Sequence, residues 1–288
     1  MANLRHITLS CDPEWDDEVD VVITDTGMAG WATAISAVDE EAEVFLADAA
    51  IAPSTTDDAL RGRWFDFGDD EATAEYRGEL TADLDLAALT RHDPDLPLRL
   101  AGELVGVRQR PRPAFDGAAL RDWTARCIPA PSGYLYTRVT EWTSELMDCG
   151  DGQLFKVSEL GSMTPDREDP VGSVVEWLTA EALDRGVSAS PVRSFERLVF
   201  EDGAVTGAVF STEDGPLAIG ARHGVLICRR QSATTDAFYR QLPRDTALRI
   251  ALVGKDASRF GRVELLTSDA GIAGSASGAS PRAAAVTA

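Results

Sequence analysis

Histidine is scarce in this chain: three of 288 residues, His6, His92 and His223. Cysteine is nearly as rare, and Cys11, Cys127, Cys149 and Cys228 lie far apart with no CxxC spacing. So few imidazoles and no thiol pair argue against a His/Cys metal site and for reduced thiols. Long apolar runs are missing too. No segment approaches the length of a membrane-spanning helix, and the first residues are polar and acidic where a secretory h-region would be apolar. The expectation is a cytoplasmic protein. Basic residues are outnumbered, 27 Lys and Arg against 48 Asp and Glu, for a net charge of -21. A surface this acidic repels phosphate backbones and anionic lipid, which speaks against nucleic acid and membrane surfaces as partners. The basic run Arg108, Arg110 and Arg112 is short, broken by prolines, and reads as solvated loop charge.

What is present is an ordinary globular composition, 44% hydrophobic and 26% charged, in a chain long enough to bury its own core. Residues 1-18 read as an acidic N-terminal arm. Val19, Val21, Val22 and Ile23 then form a short β-branched run, the pattern of a buried parallel strand. Thr24 to Gly27 reads as a turn, Met28 to Val38 as a helix of small apolar residues, and Glu43 to Ala47 as a second strand ending at Asp48. Residues 51-170 are rich in proline and acidic clusters. They hold a predicted helix around Asp70 to Leu89, another over Phe115 to Arg126, and strand or core material near Tyr134, Tyr136 and Trp142.

Regularity returns at residue 171. Gly172 to Arg185 is amphipathic and helical, with Gly186 as its stop. Phe195 to Phe200, Val205 to Ser211 and Leu217 to Ile219 read as three strands, joined at Asp202-Gly203 and Asp214-Gly215, both hairpin signals. Gly224 to Cys228 reads as a further buried strand. A helix near Ala233 to Leu242 follows, then strands at Leu248 to Val253 and Arg262 to Thr267. Residues 271-288 are small and of low complexity, and read as a flexible tail.

Strand, glycine-bearing turn, helix, strand and acidic residue make up the dinucleotide-binding fingerprint. Its first glycine permits the tight turn and its second lets the backbone approach a pyrophosphate. The third lets helix and strand pack closely, while the helix N-terminus faces the phosphates and the acidic residue takes the ribose hydroxyls. Here the turn is Asp25-Thr26-Gly27-Met28-Ala29-Gly30. The second and third glycines are kept, Asp48 is the acidic residue with Ala49 beside it, and Asp25 replaces the first glycine. These eight residues are the candidate cofactor site. Trp31 reads as core, His223 as structural, and Tyr134 and Tyr136 as core packing in preference to donors in a substrate pocket. No Ser-His-Asp or paired-carboxylate constellation stands out.

The segment DVVITDTGMAGWATAISA resembles the N-terminus of FAD-dependent oxidoreductases of the fumarate reductase and 3-ketosteroid dehydrogenase type. WLTAEALDRGVSAS and RLVFEDGAVTGAVFSTEDGPLAIGARHGVLIC resemble that family's helix, three-stranded meander and returning strand. The resemblance implies an α/β fold: a Rossmann-like FAD/NAD(P)-binding domain over 19-50 and 171-270, with an inserted, reduced cap-like region at 51-170. It implies FAD as the cofactor. Two departures weigh against FAD. Asp25 sits where the first glycine belongs, and Cys228-Arg229-Arg230 stands where the family has a Gly-Gly turn. A carboxylate ~5 Å from a pyrophosphate charge is repelled by roughly 3 kcal/mol at an effective dielectric of ~20, about two decades of affinity. Asp25 would instead accept N-H groups at the helix start. An equivalent of the family's C-terminal glycine-rich flavin contact is not recognised.

Three functions follow. The first is a degenerate flavoprotein relative without redox chemistry, an accessory or scaffold subunit for an intact relative or for a second copy of itself. The second is an FAD-dependent dehydrogenase or reductase acting on CH-CH groups of a hydrophobic, steroid-like molecule. The third is an isomerase or cyclase reusing the same cavity. The altered residues at two cofactor turns favour the first.

Overall fold

The computed structural model describes residues 14-49, 70-86, 88-89, 93-105, 117-138, 145-149, 153-230 and 236-277. Arg108, Arg110, Arg112 and Trp142 lie outside the described residues, as does most of the N-terminal arm. In chain order the elements are β1 (Asp17–Ile23), α1 (Met28–Asp39), β2 (Val44–Ala49), α2 (Glu71–Leu80), β3 (Leu98–Leu100), β4 (Glu103–Leu104) and α3 (Gly117–Cys127). Then come β5 (Gly133–Tyr136), β6 (Glu145–Asp148), β7 (Leu154–Met163), α4 (Pro170–Asp184), β8 (Ala189–Val192), β9 (Ser194–Glu201), β10 (Ala204–Ser211) and β11 (Pro216–Ile227). A 3-10 turn (Ala237–Gln241), β12 (Leu248–Gly254), β13 (Phe260–Thr267) and α5 (Ala270–Ser277) complete the described chain. None of the described helices is long and apolar enough to cross a membrane.

The fold is mixed α/β, with few helices around one large, mostly antiparallel sheet in the order β4-β6-β7-β12-β13-β5-β11-β1-β2-β8. Its main parallel part is the run β11-β1-β2-β8, and β3 also pairs β13 in parallel. β1, α1 and β2 therefore form a parallel strand-helix-strand unit, and β1 is buried from Val21 to Ile23 as its β-branched run requires. α1 is buried from Met28 to Ala37, because its small side chains let the helix axis come close to the sheet and to α4.

β11 is one strand where the sequence suggests two. Its first half pairs β10 in the meander, and its end pairs β5, while β1 pairs it from Ile219 to Leu226. Gly224, at φ +128°, lies at the register irregularity of the β1–β11 pairing, a conformation that favours glycine. The Asp202-Gly203 hairpin is as expected, with both residues at positive φ. α4 also matches its pattern. Pro170 opens it, the Asp169 side chain accepts from Gly172 N at 2.9 Å, and Val174, Leu178 and Ala182 line its buried face.

α2 is shorter than the predicted 70-89. Asp70 caps its start, and at its end both the amide and the hydroxyl of Thr81 bond the Arg77 carbonyl. Near 233-242 only the 3-10 turn is described. The expected flexible tail starts as a helix: Asp269 Oδ1 accepts from Gly271 N and Ile272 N, and Ala273 and Ala276 are buried. β3, β4, β6, β7 and β8 are additions to the sequence reading.

β3 is fastened to β13 by buried charge. Arg99 makes a two-pronged pair with Glu264, Nε–Oε2 2.6 Å and Nη2–Oε1 2.8 Å. Arg262 adds Nε–Oε1 2.7 Å to the same carboxylate and Nη1–Oδ2 2.7 Å to Asp93. Glu264 is fully buried; burial alone would raise its pKa, but the two guanidiniums outweigh it and bring it down to about 2.

Candidate functional site

All eight candidate residues gather where β1 meets α1 and where β2 ends. Thr26, Met28 and Ala29 are buried, Gly27 and Gly30 lie in the same buried turn, and Asp48 and Ala49 close β2 half-exposed. Asp25 is 9% exposed. Its Oδ1 accepts from Thr26 N at 2.8 Å and its Oδ2 from Arg230 N at 2.9 Å. The expected capping of the helix start does not occur. Gly27 is the N-cap of α1, without a side-chain hydrogen bond, because the Asp25 carboxylate turns toward the end of β11. Burial raises the Asp25 pKa, and the Arg230 N–H and charge act against that rise.

Both glycines are close-approach positions, and both are approached by this chain itself. A Cβ on Gly27 would stand 2.5 Å from the Arg229 carbonyl oxygen. A Cβ on Gly30 would overlap the Asp25 carbonyl and lie 3.2 Å from Cys228 Sγ. The Cys228 thiol donates to the Asp25 carbonyl at 3.2 Å and is pushed up in pKa by burial, against the backbone N–H groups of Gly27 and Gly30. Those two N–H groups are donors that a fingerprint helix offers to phosphate. The Thr24 hydroxyl bonds both the amide and the carbonyl of Cys228, at 3.1 Å each, and so locks β1 to the end of β11.

Arg230 completes the arrangement. Its Nη2 lies 2.7 Å from Asp48 Oδ1, 3.5 Å from Asp25 Oδ1 and 2.7 Å from the Ala49 carbonyl oxygen. Thr26 Oγ1 donates to the same Asp48 Oδ1 at 3.1 Å. The two acidic residues of the fingerprint are thus tied together by one guanidinium. The signal for this was the Arg229-Arg230 pair at the altered turn, but charge alone could not tell a phosphate ligand from an internal clamp.

A cleft of about 110 Å³ opens one turn further along α1, lined by Thr33 and Ser36 together with β5, β7, β12 and the β12–β13 connection. Tyr134 and Tyr136 reach this cleft. Tyr136 donates to the His223 carbonyl at 2.9 Å, and the Tyr134 hydroxyl packs against Gly261. Trp31 is core, as read from the sequence, whereas the His223 side chain is exposed near Asp20.

No family model matches the chain, and neither does any curated protein. Among solved structures it is similar to a 3-ketosteroid-delta4-(5alpha)-dehydrogenase from Rhodococcus jostii RHA1 in complex with 4-androstene-3,17-dione, at 20% identity over 74% of this chain and 46% of that one, TM-score 0.31. It is also similar to a flavocytochrome c3 fumarate reductase in an open conformation, at 16% identity over 72% and 33%, TM-score 0.29. A glycine oxidase from Geobacillus kaustophilus matches at 14% identity over 86% and 71%, TM-score 0.24. The chain spans less than half of the dehydrogenase and a third of the fumarate reductase. All three are oxidoreductases by name. At these scores the likeness assigns no activity, and function has to be read from the chain's own geometry.

Proposed function

We propose that this chain is a flavoprotein-type unit, Rossmann-like over β1–α1–β2, whose cofactor cradle is closed by its own residues. It would work without redox chemistry, as an accessory or scaffold protein for an intact flavoprotein relative or for a second copy of itself. The observation that carries this reading is the Arg230 clamp across Asp25 and Asp48. An FAD ribose would have to displace the guanidinium from Asp48. Its pyrophosphate would have to enter beside the buried Asp25 carboxylate, a repulsion of roughly 3 kcal/mol at ~5 Å and an effective dielectric of ~20. The Arg229 and Arg230 backbone already fills the approach that Gly27 leaves open.

The test is direct. Purified protein is mixed with excess FAD, desalted, and its visible spectrum recorded. The expected product is colourless. A yellow protein with one flavin per chain would contradict the reading.

A further inference from the structure

The chain has two lysines, Lys156 and Lys255, and both line the cleft beside α1, as do Arg138 and Arg259. Among the described residues no carboxylate lines it, and Asp256 borders it, pairing with Lys156 at 3.2 Å from an exposed position. Lys255 Nζ donates to Gln153 Oε1 at 2.8 Å. Among the described residues, Arg138 and Arg259 pair with no acid; they donate to the Arg222 carbonyl and the Tyr76 hydroxyl. In a protein of net charge -21, four cations converging on one concavity are a local reversal of sign.

Two further features point to a ligand. The Thr33 hydroxyl on α1 is buried, lines the cleft, and has no hydrogen-bond partner. A buried hydroxyl without a partner is uncommon in a folded protein and calls for an acceptor or donor from outside the chain. Tyr134, Leu226, Leu252 and Phe260 give the cleft an apolar wall, beside Ser36, Ser158 and Ser258. Cations at one side, a waiting hydroxyl and an apolar wall define an amphipathic anion, and the volume limits it to about one ring or a short chain.

We propose that this cleft binds a small carboxylate carrying one apolar ring or short chain, held by Lys255 and Arg259 with Thr33 as a hydrogen-bonding partner. Ammonium and guanidinium groups bond a carboxylate more strongly than neutral donors do. This site stands independently of the flavin question, since none of its residues belongs to the fingerprint turn.

Isothermal titration of the full chain with benzoate, benzamide and inorganic phosphate tests the assignment. Benzoate should bind saturably, one per chain, at least tenfold tighter than benzamide or phosphate, and more weakly as salt is raised. Lys255→Gln and Arg259→Gln should each weaken benzoate about tenfold and leave the melting temperature close to that of the parent. Thr33→Val should weaken it a few-fold. Absence of saturable benzoate binding, equal affinity for benzamide, equal affinity for phosphate, or indifference to both cation variants would each overturn the proposal. The comparison of benzoate with benzamide needs no variant and so does not depend on any variant folding.

Discussion

The Arg230 guanidinium donates to the Asp48 carboxylate at 2.7 Å, and its own backbone N–H donates to Asp25 at 2.9 Å. One residue at the end of β11 therefore satisfies acids from β1 and β2 that lie 23 positions apart in sequence. The pairing is half-exposed at Asp48 and buried at Asp25, so its two halves differ in strength. Arg230→Met should cost about 1-2 kcal/mol in urea unfolding, mostly through the buried Asp25 left without its cation. Asp25→Asn in the same background should recover part of that loss, since a neutral amide needs no counter-charge.

The glycines separate packing from cofactor binding. Gly27→Ala and Gly30→Ala should each destabilise the apo protein by about 1-3 kcal/mol, because the added methyl meets the Arg229 and Asp25 carbonyls. Gly78→Ala on α2 has open space and should stabilise by up to about 1 kcal/mol. Chemical denaturation of the three variants without any flavin checks this. If Gly27 and Gly30 tolerate alanine as Gly78 does, their retention needs another cause.

Glu264 gives a pH signature. Its folded pKa of about 2 lies below the ordinary 4.5, so the paired carboxylate stabilises the fold above about 4.5. That contribution is lost as pH falls from 4.5 toward 2. Glu264→Gln should cost roughly 3-5 kcal/mol at neutral pH, since Arg262 is left buried with only Asp93 as counter-charge. The variant should also show a shallower loss of stability over that acid range than the parent. Parallel slopes in the two proteins would show that Glu264 is not responsible.

Thiol accessibility follows from burial. Cys127 and Cys228 are almost completely buried, and burial pushes both thiols above their ordinary range. Neither should react with a thiol-specific reagent in the folded protein, and both should react after denaturation. Mass mapping of the labelled peptides distinguishes them from Cys149, which is half-buried. Rapid native labelling of Cys228 would mean that the β1–β11 junction opens.

The β1–α1–β2 unit, the meander and α4 were legible in the sequence because each is set by local pattern. A β-branched run, a small-residue helix, Asp-Gly turns and a Pro-to-Gly bounded amphipathic stretch need no tertiary information. β3 and β4 were not legible, since strands of three and two residues carry no period to detect. β11 was divided between Ile219 and Gly224, because glycines inside a strand (Gly220, Gly224) look like boundaries until the partners on both sides are known. At the candidate site, Asp25 was recognised as the discordant residue, but its partner was not. Arg230 lies 205 positions away, and only the fold brings the two together. The cationic cleft left one readable trace, the rarity of lysine. Residues 156 and 255 show no sequence pattern that would join them; the pairing of β7 with β12 does so.

The proposal turns on the Asp25 carboxylate and the Arg230 guanidinium keeping FAD out of the β1–α1–β2 turn. An absorbance titration with FAD, run side by side on the parent chain and on the Asp25→Gly, Arg230→Ala double variant, tests it most directly. The parent should show no saturable flavin spectrum. The double variant should bind FAD saturably and measurably more tightly than the parent, because neither the carboxylate nor the guanidinium then occupies the turn. Stoichiometric binding by the parent, or equally weak binding by a folded double variant, would contradict the claim.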